Sequence, residues 1–151
     1  MVQNYELGNI LSFVENIDLT IAEGWMILMK HPCVVDVMPQ YEERLIFAQL
    51  ELDDPPKYQM KLWMPQSLAE HVCCQFYGEE ESLDLQMIAE SIGELLNIIA
   101  GNLLGIISSP AKLSIPDVNM NCSYISGVDG IIRTYSTPKG SFTFGIERKK
   151  S

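Results

Sequence analysis

The sequence predicts an α+β domain, with two long helices packed on a mostly antiparallel sheet and one short extra helix. Three patterns carry this expectation. Apolar residues recur at steps of three and four in two long stretches. Shorter stretches between and after them alternate apolar and polar residues with a period of two. Proline and glycine clusters punctuate the boundaries. The order helix, hairpin, short helix, long helix, strands fits helices laid on an antiparallel sheet.

The first helix runs from about Tyr5 to Lys30, where Ile10, Phe13, Val14, Ile17, Ile21, Trp25 and Leu28 share a face. Gly8 and Gly24 weaken it at either end, and Pro32 stops it. Glu43 to Leu52 alternates imperfectly, and Tyr58 to Met64 alternates strictly, with Tyr58, Met60, Leu62 and Met64 on one side. Asp53-Asp54-Pro55-Pro56 turns between them, so the pair reads as a hairpin. Ser67 with Glu70 fits a capping box that opens a short helix through Val72 and Phe76, ending near Gly78. The acidic run Glu79-Glu80-Glu81 precedes the longest helix, about Ser82 to Ser108, which Pro110 closes.

The last third is sheet-like. Leu113, Ile115 and Val118 come first, followed by Tyr124 and Ile125. A turn at Gly127 to Gly130, a strand at Ile131 to Tyr135, a turn at Pro138-Lys139-Gly140 and a strand at Phe142 to Ile146 complete the chain. The charged end, Glu147 to Ser151, is expected to fray. A long helix followed by strands occurs twice, a faint sign of internal duplication.

A chain of 151 residues fits one domain, taken here as 1–151. Its 47% apolar and 20% charged residues exclude disorder as the main state. The net charge of -10 argues against nucleic acid and anionic membranes as partners. The most apolar stretch, Leu95 to Ile107, is interrupted by Asn97, Gly101, Asn102 and Gly105 and is too short to span a bilayer. No basic leader with an apolar block opens the sequence, and Cys33, Cys73, Cys74 and Cys122 form no CxxC. The expected location is cytoplasmic, with reduced thiols.

The long helix carries the functional information. Ile92, Leu96, Ile99, Leu103 and Leu85 cluster on its core side, with Ile88 and Leu95 at the margin. The remaining stripe is Glu90, Glu94, Asn97, Gly101 and Gly105, all within about 80° of one another. Ile98 and Leu104 flank it as apolar shoulders. Glycine in an exposed helix interior costs about 1 kcal/mol relative to alanine, but it lets another molecule approach closely. A carboxylate can pair with a basic group, and an amide one turn away can donate and accept, which suits holding a water. A plain solvated face is the simpler alternative, and Gly101-x-x-x-Gly105 also fits a tight helix crossing within the fold.

The run Ala89-Glu90-Ser91-Ile92-Gly93-Glu94-Leu95-Leu96-Asn97-Ile98-Ile99-Ala100-Gly101-Asn102 resembles the signature of the CheC/CheX/FliY phosphatases of bacterial chemotaxis. Its core is Gly-Glu-x-x-Asn, two apolar residues, a small residue and Gly. Leu113-Ser114-Ile115-Pro116 is similar to the Leu-x-x-Pro that opens the following strand in that family. The likeness spans roughly Glu43 to Ile146. It implies a CheC-like fold. CheC-type members usually carry two such helices, whereas the first helix here offers only Glu15 and Asp18 at the same spacing. The resemblance is therefore to the single-site CheX branch, which implies a homodimer with one site per subunit.

The family's activity is hydrolysis of the aspartyl phosphate on a phosphorylated CheY-like receiver domain, in chemotaxis or related two-component signalling. By resemblance, Glu94 docks to the receiver's conserved lysine, and Asn97 positions the attacking water. Glu90, Ile98, Gly101, Leu104 and Gly105 would complete the docking surface. The chain is expected to bind no cofactor, with Mg supplied by the receiver. The alternative function is a non-catalytic binding module or adaptor for a receiver or flagellar switch protein. A third possibility buries the glycine stripe in an oligomer.

Other chemistries are poorly served. His71 and Cys74 share a helical face, but no CxxC or HExxH accompanies them, so no metal site is assigned. Two histidines and no Gly-x-Ser-x-Gly give a hydrolase triad little support.

Overall fold

The computed structural model describes residues 2–53, 57–78, 84–106, 111–123, 125 and 129–148, with side chains from residue 16 onward. Three helices, α1 (Val2–Met29), α2 (Gln66–Tyr77) and α3 (Leu85–Ile106), pack on a six-stranded antiparallel sheet. The strands are β1 (Val34–Asp36), β2 (Leu45–Glu51), β3 (Tyr58–Pro65), β4 (Asp117–Cys122), β5 (Gly130–Thr137) and β6 (Gly140–Arg148).

The helices follow the expected periodicity. Ile17, Ile21, Trp25 and Met29 of α1 are buried at a spacing of four, with Leu28 only partly covered. Lys30 ends α1 in the left-handed region, with φ 64°. Trp25 stacks on Phe142 of β6 at 4.7 Å between ring centroids. Gly78, also left-handed, ends α2 and donates its N–H to the Cys74 carbonyl.

The capping box does not form. The Ser67 N–H and hydroxyl both donate to Glu43, each at 2.8 Å, so a carboxylate from the loop before β2 caps α2. A full negative charge beside the positive helix end satisfies the orphan donors better than a hydroxyl does. At α3 the cap is Asp84, whose carboxylate accepts the Met87 N–H at 2.8 Å. Ser82, Glu79 to Glu81 and Pro110 lie outside the described residues.

The sheet order is β1-β5-β6-β3-β2-β4. The β2–β3 and β5–β6 hairpins form as expected, the second around Gly140 at φ 139°. Exchanging β1, β2 and β3 for β4, β5 and β6 reverses this order without changing it. The faint duplication in the sequence is thus present in the topology, and α1 and α3 occupy equivalent places.

Several expectations need correction. Strand β1 was not foreseen, because its three residues are all exposed and carry no alternation. The strand after α3 begins at Asp117, so Leu113 and Ile115 precede it. Leu113 makes only a bridge to Leu52. Glu147 and Arg148 do not fray: they pair with Gln59 and Tyr58, and the Glu147 carboxylate binds the Lys61 ammonium. Residues 149–151, 54–56, 124 and 126–128 lie outside the described set.

The core lies between the helices and one face of the sheet, where Ile46, Ala48, Leu50, Met60, Leu62, Phe142 and Phe144 are buried. The other face is more polar, but Trp63 is buried there against Phe47, at 5.0 Å. Tyr41, from the β1–β2 connection, shares a 2.9 Å hydrogen bond with Thr143 on that same face.

Helix α3 is long and apolar enough to cross a membrane, with mean hydropathy 1.3 over its most apolar window. More than half of that window is buried, and the helix contacts α1, α2, β2, β3 and β4. It is the central helix of the core.

Candidate functional site

Packing on α3 decides which of its side chains are available. Ile88, Ile92, Leu95, Leu96, Ile99 and Leu103 face the core, as the periodicity requires. Two residues depart from expectation. Leu85, the first residue of α3, is 61% exposed. Leu104 is buried and belongs to the core, so it is not a docking shoulder. The cause is that α3 is covered by α1 and α2 as well as by the sheet, which buries a wider arc than a two-layer packing would.

The stripe itself stays open. Glu90, Glu94, Gly101 and Gly105 are exposed, and Asn97 and Ile98 are half-buried. A Cβ on Gly101 or Gly105 would meet nothing within 4 Å, so Gly101-x-x-x-Gly105 is not a helix crossing inside the subunit.

The two halves of the stripe differ. Its N-terminal half lines a groove of about 410 Å³ formed by Ala89, Glu90, Gly93, Glu94, Asn97, Ile115, Pro116 and Val118. Helix α3 forms one wall and the approach to β4 forms the other. Gly93 is where they meet: a Cβ there would lie 3.5 Å from both Pro116 and Val118. A second hollow of about 360 Å³ opens on the other side of the helix, lined by Phe76, Tyr77, Glu90, Ser91 and Glu94. Glu94 therefore stands on the ridge between two depressions. Ile98, Gly101, Leu104 and Gly105 line neither of these two hollows.

The two carboxylates are held differently. Glu90 accepts hydrogen bonds from the Tyr77 hydroxyl and the Gln86 amide, both at 3.2 Å. Desolvation, with the nearby Glu90 carboxylate, raises the Tyr77 phenol above its ordinary range, so it remains a donor at neutral pH. Among the described residues, Glu94 and Asn97 have no hydrogen-bond or ion-pair partner. Of the two carboxylates, Glu90 is thus committed within the fold, whereas Glu94, with the amide one turn on, has no partner among the described residues.

On α1, the Glu15 side chain lies outside the described residues, and Asp18 is engaged within the fold. Asp18 accepts a 2.7 Å hydrogen bond from the Tyr135 hydroxyl and lies 3.5 Å from the Arg133 guanidinium. That carboxylate ties α1 to β5.

The groove wall of Ile115, Pro116 and Val118, and the Tyr77 contact to Glu90, were not assigned to the site from the sequence. The Leu113-Ser114-Ile115-Pro116 run was the one available signal. Among the described residues, no group of three His, Cys, Asp or Glu side chains is placed to hold a metal ion. His31 and His71 stack at 5.6 Å, away from the groove residues, and Cys33 is buried, which pushes its thiol up to about 11.

Comparison with known proteins gives a consistent result. The family model for chemotaxis phosphatase CheX matches residues 46–141, more than half of the chain. The fold is similar to that of chemotaxis protein CheX from Vibrio vulnificus, with TM-score 0.76 at 14% identity, covering 91% of this chain and 96% of that one. It is similar to CheX in the CheX–CheY–BeF3–Mg complex from Borrelia burgdorferi, with TM-score 0.68 at 18% identity, covering 90% and 98%. FliY from Thermotoga maritima is also similar, with TM-score 0.59 at 14% identity, covering 95% and 86%. No curated protein matches by sequence.

Proposed function

The chain belongs to the CheX family of chemotaxis phosphatases, and from that premise we propose that it hydrolyses the aspartyl phosphate of a CheY-type receiver domain. One observation carries the reading. Among the described residues, the Glu94 and Asn97 side chains, both lining the groove, have no hydrogen-bond or ion-pair partner, and they stand one helical turn apart.

In this proposal Glu94 pairs with the receiver's lysine and fixes the approach of α3 to the phosphorylated pocket. The Asn97 amide accepts a hydrogen bond from a water and orients it toward phosphorus. A water oxygen–phosphorus bond forms as the aspartyl oxygen–phosphorus bond breaks. The products are inorganic phosphate and the free receiver aspartate. Positioning and charge stabilisation supply most of the rate enhancement in such reactions. The receiver brings Mg, so this chain needs no metal ligands of its own. CheX of Borrelia burgdorferi has been solved together with CheY, BeF3 and Mg, which supports this choice of partner. The proposed setting is the cytoplasm.

The test is to phosphorylate a purified receiver and follow loss of its phosphate with and without this chain. Acceleration is expected, and Asn97→Ala should lower it by about a hundredfold, since misplacing one reacting group costs that much. Stable binding with no change in decay rate would overturn hydrolysis in favour of an adaptor.

The same proposal includes a homodimer with one site per subunit. Strand β1 lies at the edge of the sheet, and Val34, Val35 and Val37 are 60%, 50% and 84% exposed. An apolar edge with unpaired backbone groups favours pairing with another strand. Analytical ultracentrifugation should give twice the chain mass; a monomer at micromolar concentration would count against the dimer.

A further inference from the structure

Resting on the phosphatase reading, we infer that Ile115 is a specificity-determining anchor, an apolar contact that seats the receiver beside Glu94 and Asn97. Ile115 is 91% exposed, more than any other large apolar side chain described. It lines the same groove as Glu94 and Asn97, on the opposite wall.

What separates Ile115 from an incidental surface residue is the stiffness of its support. The Ser114 N–H donates to the Glu51 carbonyl, and the Glu51 N–H donates to the Ser114 hydroxyl, both at 2.8 Å. One step back, Leu113 bridges Leu52, and Asp53 and Lys112 exchange two further bonds. One step forward, Pro116 has a fixed φ and packs over Gly93 of α3. The backbone is thus stitched to β2 on one side and wedged against α3 on the other. Its β-branched side chain has few rotamers to lose. A rigidly presented apolar group loses little entropy on docking, and that is how a small contact becomes an affinity determinant.

The geometry also divides the labour. Glu94 and Asn97 meet the charged, reacting part of the receiver, and Ile115 meets an apolar patch bordering that pocket. Receivers without such a patch bind more weakly, although their phosphorylated pockets are alike. Ile115 does not reach the reacting atoms, so it acts on binding and leaves the chemical step alone.

The experiment compares wild type with Ile115→Ser and Ile115→Val over a concentration series of phosphorylated receiver, with thermal melting as a check on folding. At 91% exposure the serine variant should melt with the wild type. Its KM is expected to rise about tenfold with kcat within twofold, and the valine variant should recover most of the loss. An unchanged KM for Ile115→Ser, with wild-type catalysis intact, overturns the anchor and leaves the phosphatase reading standing. A fall in kcat at constant KM also overturns it. Wild type that fails to accelerate decay overturns both.

Discussion

Gly101 and Gly105 leave bare backbone at the surface, with room for a Cβ at either position. Among the described residues nothing requires glycine there, and neither glycine has a positive φ. Gly101→Ala is therefore expected to raise stability by up to about 1 kcal/mol, through helix propensity alone. Chemical denaturation would measure it; a loss of stability would mean that the position serves a contact beyond the subunit. Glu94 and Asn97 were legible in the sequence for a related reason. Periodicity locates the core side of a helix, and the residues left over are candidates for exposure. Leu104 was misjudged by the same logic, because periodicity does not show how many neighbours wrap the helix. Asp18, at the site's counterpart on α1, illustrates the limit from the other side. Spacing alone does not reveal that Tyr135 and Arg133 already hold it.

Helices and hairpins were the most legible elements, since their signals are local. The strict alternation from Tyr58 gave β3, and Pro138-Lys139-Gly140 gave the β5–β6 turn. The far wall of the groove was not legible as part of the site. It exists because β4 pairs with β2, which brings Pro116 and Val118 over Gly93, and no local pattern encodes that register. The α2 cap is a second long-range feature, supplied by a carboxylate distant in sequence. Glu43→Ala is expected to lower stability by about 1 kcal/mol, the usual loss of an N-cap. The change should appear as a lower melting temperature with phosphatase activity intact, because Glu43 does not line the groove. An unaltered melting temperature would assign the cap to solvent.

For the molecule as a whole, the stacked His31–His71 pair links the segment after α1 to α2. Burial, then His31, then Lys139 lower the His71 imidazole below its ordinary 6.5. The folded chain therefore resists a proton that the unfolded chain accepts. Stability is fully present above pH 6.5 and declines as pH falls from there toward the lowered folded value. Urea midpoints should drop between neutral pH and pH 5.5, and His71→Gln should flatten that slope. Parallel slopes in the two proteins would exclude His71 as the source.

The β3–β6 seam at the middle of the sheet joins Tyr58 to Arg148 and Trp63 to Thr143, partners separated by more than half the sequence. Each half of the duplicated topology contributes one of these two strands, so neither half can complete the sheet alone. Closing so long a loop comes before most of the contacts that reward it. The architecture thus trades speed of assembly for cohesion: the half that carries α1 and the half that carries Glu94 and Asn97 on α3 become one sheet only when a seam between distant segments has closed.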